Sequence, residues 1–167
     1  MNNIMKSIHA FLLFIAALSF SSLATQGSQL SVSISGHIES YCEIDFTDGV
    51  KMDFSNEAQK VLPFDIQCNQ PLSMSVYSRN GGLQLLKSKQ ENLTPYEVNI
   101  DITSLGLSQT LLSREISSPR IINSSNVIPF NTDGVMRVTL EENLLYAGYY
   151  EDVIEIDVFP SIHGSGK

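Results

Sequence analysis

The chain has 167 residues, with 18 acidic against 10 basic side chains and a formal net charge of −8. A negative chain without a basic cluster is poorly suited to nucleic acid or to an anionic membrane, both of which are held through Lys and Arg. Two cysteines, no tryptophan and 43% hydrophobic residues describe one domain able to bury a core without a metal.

The first segment reads as a secretory signal peptide. Lys6 supplies the positive start, Ala10 to Phe20 (AFLLFIAALSF) the apolar stretch, and Ser22-Leu23-Ala24 a small-x-small cleavage site. Cleavage is expected after Ala24. No later apolar run is long enough to span a bilayer, so a soluble mature chain is expected. Thr25 to Ser28 is small and polar, a flexible terminus.

From Gln29 to Phe46 (QLSVSISGHIESYCEIDF), Leu30, Val32, Ile34, Ile38, Cys42, Ile44 and Phe46 all fall on even positions, with polar residues on the odd ones. That period of two is β-structure with one buried face. The stripe is about two ordinary strands long, since strands run about 5–6 residues, and Gly36 divides it. One reading is a single long strand kinked at Gly36. The other is a domain's own first strand after Gly36, preceded by a strand made for another molecule.

The two cysteines form an even number in an exported chain, so Cys42 and Cys68 are expected to pair. Closing that loop is worth roughly 3–4 kcal/mol on a chain-entropy account. Thr47-Asp48-Gly49 reads as a turn. Val50 to Lys60 reads as a short strand, with Met52 and Phe54 alternating, and then a loop. Val61 to Cys68 alternates with Leu62, Phe64, Ile66 and Cys68 on one side, and Pro63 suits a strand start or a sheet edge. Leu72, Met74 and Val76 mark a further strand. Asn80-Gly81-Gly82 signals a hairpin, with Leu83 to Leu86 returning from it.

Tyr96, Val98, Ile100 and Ile102 form another stripe. Between Leu105 and Ile122, the spacing of Leu107, Thr110, Leu111 and Arg114 suggests one short helical turn. Asn131 to Gly134 reads as a turn, Val135 to Glu142 as a strand with Met136, Val138 and Leu140 inside, and Tyr150 to Phe159 as a closing strand. About seven short strands separated by turns, with no helix-period segment of any length, make an all-β antiparallel sandwich, Greek-key and immunoglobulin-like.

Chemistry-bearing residues are sparse. His9 leaves with the signal segment, His37 lies on the polar parity and His163 sits in the tail. A Ser–His–acid triad needs an imidazole held and oriented by rigid structure, and zinc needs clustered ligands. Neither pattern is visible. Glu141, Glu142, Glu151, Asp152, Glu155 and Asp157 crowd the C-terminal part, but Glu155 and Asp157 alternate with core residues and read as a solvated face. Gly81-Gly82 joins strand to strand and is no phosphate loop. Asn92-Leu93-Thr94 and Asn123-Ser124-Ser125 match the glycosylation sequon, which matters only in a eukaryotic secretory pathway. No catalytic residue, metal or cofactor is expected.

Leu62 to Leu83 (LPFDIQCNQPLSMSVYSRNGGL) resembles chaperone–usher pilus subunits, especially the spore-coat-protein-U-like subunits of archaic pili: a strand ending in Cys-Asn, then a Ser-bearing strand and a Gly-rich turn. Ala147 to Pro160 (AGYYEDVIEIDVFP) is similar to the family's closing motif, through Gly148, Tyr150, Asp152 and the alternating Ile154, Ile156 and Val158. The first cysteine after an alternating extension also matches. The chain departs from the pattern in running on through Ser161 to Lys167.

The resemblance implies an incomplete immunoglobulin-like sandwich, completed in trans by a donor strand. A periplasmic chaperone would lend that strand first, an outer-membrane usher would export the subunit, and the extension of a neighbouring subunit would replace the chaperone. Leu30, Val32 and Ile34 would be the donated side chains, Gly36 the hinge, and Gly148 to Val158 the strand region bordering the groove. The implied organisation is a signal peptide (1–24), a donor extension (25–36), a pilin-like domain (37–160) and a tail (161–167). The implied function is that of a non-enzymatic structural subunit of a surface fibre for adhesion or biofilm formation, exported to the periplasm and then the cell surface. Two rivals stand beside it: a self-contained secreted β-sandwich that binds carbohydrate or protein, and a small periplasmic hydrolase.

Overall fold

The computed structural model describes residues 27–87, 92–125 and 127–161. The signal-peptide segment with its cleavage site, Thr25, Gln26, and the tail from Ile162 with His163 lie outside the described residues. By its contacts the chain divides into two units, 1–37 and 38–167. The described part of the first, from Gly27 to His37, contains no strand or helix, and its side chains are exposed.

The second unit is nearly all β. Among its described residues it has eleven strands and one 3-10 turn, Thr103–Leu105. The strands are β1 (Cys42–Asp45), β2 (Gln59–Cys68), β3 (Leu72–Ser78), β4 (Leu83–Leu85), β5 (Leu93–Thr94), β6 (Tyr96–Ile102), β7 (Leu107–Leu112), β8 (Arg120–Asn123), β9 (Thr132–Leu140), β10 (Tyr150–Glu151) and β11 (Ile154–Pro160). A five-stranded sheet runs β1-β2-β9-β6-β7, and two three-stranded sheets run β11-β3-β8 and β10-β4-β5. Every pairing is antiparallel.

The alternation in sequence becomes two apolar faces meeting in one core. Leu62, Phe64 and Ile66 of β2, Val98 and Ile100 of β6, and Met136 and Val138 of β9 share a buried cluster with Leu72, Met74 and Val76 of β3. Each such side chain contributes about 1.5–3 kcal/mol relative to exposure. Cys42 pairs with Cys68 across β1 and β2, and the two are disulfide-bonded.

Several local expectations differ from the structure. The domain's first strand starts at Cys42 rather than just after Gly36, and Ile38 is 85% exposed. Residues 39–41 spend their hydrogen bonds on the β2–β3 turn instead: the Asn69 amide donates to Glu39 O at 2.7 Å, and Tyr41 N donates to Asn69 Oδ1 at 3.0 Å. Val50 to Phe54 forms no strand, although Met52 and Phe54 do face the core. Gly81-Gly82 does not make a hairpin, because β3 pairs with β8 and β11 while β4 crosses to the small sheet.

The expected helical turn at Leu107 to Arg114 is instead mostly the edge strand β7, whose Ser108, Gln109 and Thr110 are exposed and whose Leu107 and Leu111 are buried. Pro63 sits inside β2, but β1 reaches only to Asp65, so β2 has β9 as its one strand neighbour there. The missing N–H is therefore tolerated.

The NTDG turn is mostly the start of β9. Gly134 lies in the strand opposite Phe64, and a Cβ there would collide with the Phe64 ring. That ring also meets Phe46 edge-on, with centroids 5.7 Å apart. Gly134→Ala must displace the ring and is expected to destabilise the domain by about 1–3 kcal/mol. Urea unfolding measures this, and an unchanged midpoint with an unchanged slope would refute the packing.

Candidate functional site

β11 is paired along its whole length with β3, from Ile154 opposite Ser78 to Pro160 opposite Leu72, and no strand is hydrogen-bonded to its other edge, although the short β1 lies close to it. Across the sandwich β1 ends at Asp45, and the chain continues irregularly until β2 begins at Gln59. Between the uncovered half of β2 and the free edge of β11 the two layers part. The result is a groove of about 770 Å³. Leu62, Met136 and Val138 form its floor. Ile154 and Ile156 form one wall, and Phe46, Met52 and Phe54 the other. Asp53 shapes this second wall: its Oδ1 accepts from Ser55 N at 2.8 Å and Ser55 Oγ at 2.6 Å. Those two donors hold its carboxyl below the usual value.

Burial shows that the core is open along this side. Ile154, Ile156 and Val158 are half-buried, whereas Met74 and Val76 on the neighbouring strand are fully buried. An exposed strand edge flanked by apolar walls has unpaired N–H and C=O groups and a place for side chains on alternate positions. An extended chain satisfies both needs.

The groove is braced at one end by Asp152, between β10 and β11. Its Oδ2 accepts hydrogen bonds from Ser78 Oγ at 2.6 Å, Tyr96 Oη at 2.7 Å and Gly82 N at 3.2 Å. Its Oδ1 accepts from Asn80 N at 3.0 Å and Val153 N at 2.7 Å. Ser78 Oγ in turn accepts from Gly81 N at 2.8 Å. Ser78 and Tyr96 both point inward, and a hydroxyl buried without a partner costs about 1–3 kcal/mol. One carboxylate satisfies both. It also captures the glycine turn, which is why the chain leaves β3 for another sheet. Burial, with help from Asp152, pushes the Tyr96 phenol far above its ordinary value.

The residues singled out from sequence fall into three places. Ile154 and Ile156 line the groove, and Val158 continues their face along β11. Asp152 and Tyr150 also border the groove, and Tyr150 Oη bonds to the backbone N and O of Tyr146, both at 3.0 Å. Gly148 has φ +153°, and a Cβ there would strike Leu85. Leu30, Val32 and Ile34 belong to the other unit and are 89%, 75% and 93% exposed, and Gly36 is exposed as well. Sequence reasoning missed Phe46 as a wall, and Tyr96 and Ser78 as partners of Asp152. The available signal was parity, since Ser78 is a polar residue on the inward side of β3. Among the described residues no three His, Cys, Asp or Glu side chains gather as metal ligands, and no helix is long and apolar enough to cross a membrane.

Tyr96→Phe removes a hydrogen bond to a charged group, and a loss of about 1.5–3 kcal/mol is expected near neutral pH. The folded state holds the Tyr96 proton more tightly than the unfolded chain does. This share of stability is complete below the unfolded pKa of about 10 and is lost as pH rises above it. The gap between wild type and variant should therefore narrow above about pH 10, as read from denaturant midpoints across the pH range. A gap that widens there would contradict the assignment.

No protein-family model matches the chain, and no curated protein matches it.

Proposed function

We propose that the chain is a non-enzymatic structural subunit of a chaperone–usher surface pilus, an incomplete immunoglobulin-like sandwich completed in trans by a donor strand. The observation that carries this reading is the free edge of β11, with half-buried Ile154, Ile156 and Val158 beside an apolar groove. The extension supplies matching chemistry. Leu30, Val32 and Ile34 alternate, stand exposed, and recur about every 6.6 Å in an extended chain, as do the three β11 side chains. Burying them would contribute about 1.5–3 kcal/mol each, and each ladder hydrogen bond about 0.5–1.5 kcal/mol. In this reading a periplasmic chaperone fills the groove first, an outer-membrane usher exports the subunit, and the extension of the next subunit takes the chaperone's place. The protein ends in a surface fibre serving adhesion or biofilm formation.

Two experiments test the reading. Deleting Thr25 to Ser35 should yield a domain that folds when its groove is filled but terminates a fibre. A synthetic peptide of residues 27–37 should raise its melting temperature, and a Val32→Asp peptide should not. A deleted domain that is a stable monomer and ignores the peptide would favour a self-contained binding module.

The second experiment probes β11. Ile156→Asp puts a charge on the groove face, which costs several kcal/mol or forces the group to neutrality, so both folding and chaperone capture should fail. Asp157→Asn, on the exposed face, should be near neutral. Equal periplasmic abundance of the two variants would refute the assigned face.

A further inference from the structure

Within the unit beginning at Ile38, exposed apolar side chains gather at two ends. β2, β3, β9 and β11 all run between a pole that holds the disulfide and a pole that holds Asp152. At the disulfide pole stand Ile38, Tyr41, Val127, Ile128 and Phe130, the last 67% exposed. They flank one turn: Asn69 N donates to Tyr41 O at 3.2 Å, and Cys68 N donates to Pro129 O at 2.8 Å.

At the other pole the loop from 141 to 149 carries Leu145, Tyr146 and Tyr149, the last 82% exposed. This loop is braced. Leu86 N donates to Tyr149 O at 2.8 Å, and Tyr150 Oη holds the backbone of Tyr146. Beyond these two groups, the exposed large apolar side chains of this unit among the described residues are Val50, Val61, Leu86, Leu93, Ile121 and Phe159.

We propose that the two poles dock on one another in successive copies of the chain, a second contact beside the donated strand. This rests on the proposed function and names where neighbouring subunits touch. Cys42 lies eight residues beyond Ile34, a reach of at most about 26–29 Å. A copy whose extension lies antiparallel to β11 in its neighbour's groove has Ile34 at the Asp152 end, so its own disulfide pole is tethered within that distance of the groove's rim. Tyr150 lines the groove and Tyr149 is the next residue in the chain, so the tyrosine loop stands at that rim. The two patches differ, so the contact is heterologous and propagates in a line rather than closing a dimer. Seating the strand makes the pole contact intramolecular, and a small patch of Tyr and Phe then suffices to stiffen the joint.

Hydroxyl-radical footprinting by mass spectrometry tests this on full-length chains, comparing wild-type polymer with the Val32→Asp chain, which cannot donate. Phe130, Tyr146 and Tyr149 should be labelled several-fold less in the polymer, with Val61 and Ile121 unchanged. Phe130→Ser and Tyr149→Ser chains should bind peptide 27–37 as wild type does, yet their polymers should dissociate about tenfold faster, a change of about 1.4 kcal/mol. A polymer with equal labelling at both poles, or with protection at Val61 and Ile121 instead, overturns the pole contact and leaves the groove reading standing. A chain that neither polymerises nor binds the peptide overturns both.

Discussion

One edge of β11 has no strand hydrogen-bonded to it, and the rest of the domain is arranged around that fact. A sheet edge with apolar residues facing inward is ordinarily a hazard, and proteins blunt such edges with charges, prolines or a covering loop. Here Glu155 and Asp157 occupy the outward positions, Pro160 closes the strand, and the inward positions are left as Ile154, Ile156 and Val158. The opposite layer does not close the gap, because β1 spans only Cys42–Asp45 and the chain beyond it is irregular. The core is thus open along this groove.

Leaving a core open requires the open edge to hold its shape without support from one side. The Asp152 network supplies this. It ties the last residue of β3, the glycine turn after it, the first residue of β6 and the start of β11 to a single carboxylate. Low local dielectric strengthens such bonds and makes each member expensive to orphan. The brace sits where β11 begins, so the strand emerges from a fixed point.

The faces of the long strands were legible in sequence. Leu62 to Cys68, Leu72 to Val76, Tyr96 to Ile102 and Met136 to Leu140 all turn inward as their parity requires. Partnership was not legible, because alternation says which side of a strand is apolar and nothing about what covers it. The stripe from Leu30 to Phe46 is unbroken in sequence, yet strand pairing begins at Cys42, where β2 offers a partner. The glycine pair after Asn80 marks a change of direction, while the carboxylate that decides the new direction lies some seventy residues on. β7 imitated a helical turn because an edge strand that buries Leu107 and Leu111 reproduces a spacing of four. The groove walls at Met52 and Phe54 alternated as expected but belong to a loop pinned by Asp53.

The disulfide has a consequence in time. β1 is only four residues long and borders the open side of the core, so its attachment to β2 leans on the bond between Cys42 and Cys68. In a reducing compartment that bond does not persist, and the wall of the groove that follows β1 has no fixed starting point. Under the proposed function, the chain would stay loose until it meets an oxidant, and covalent closure would act as a timer that readies the groove only after export.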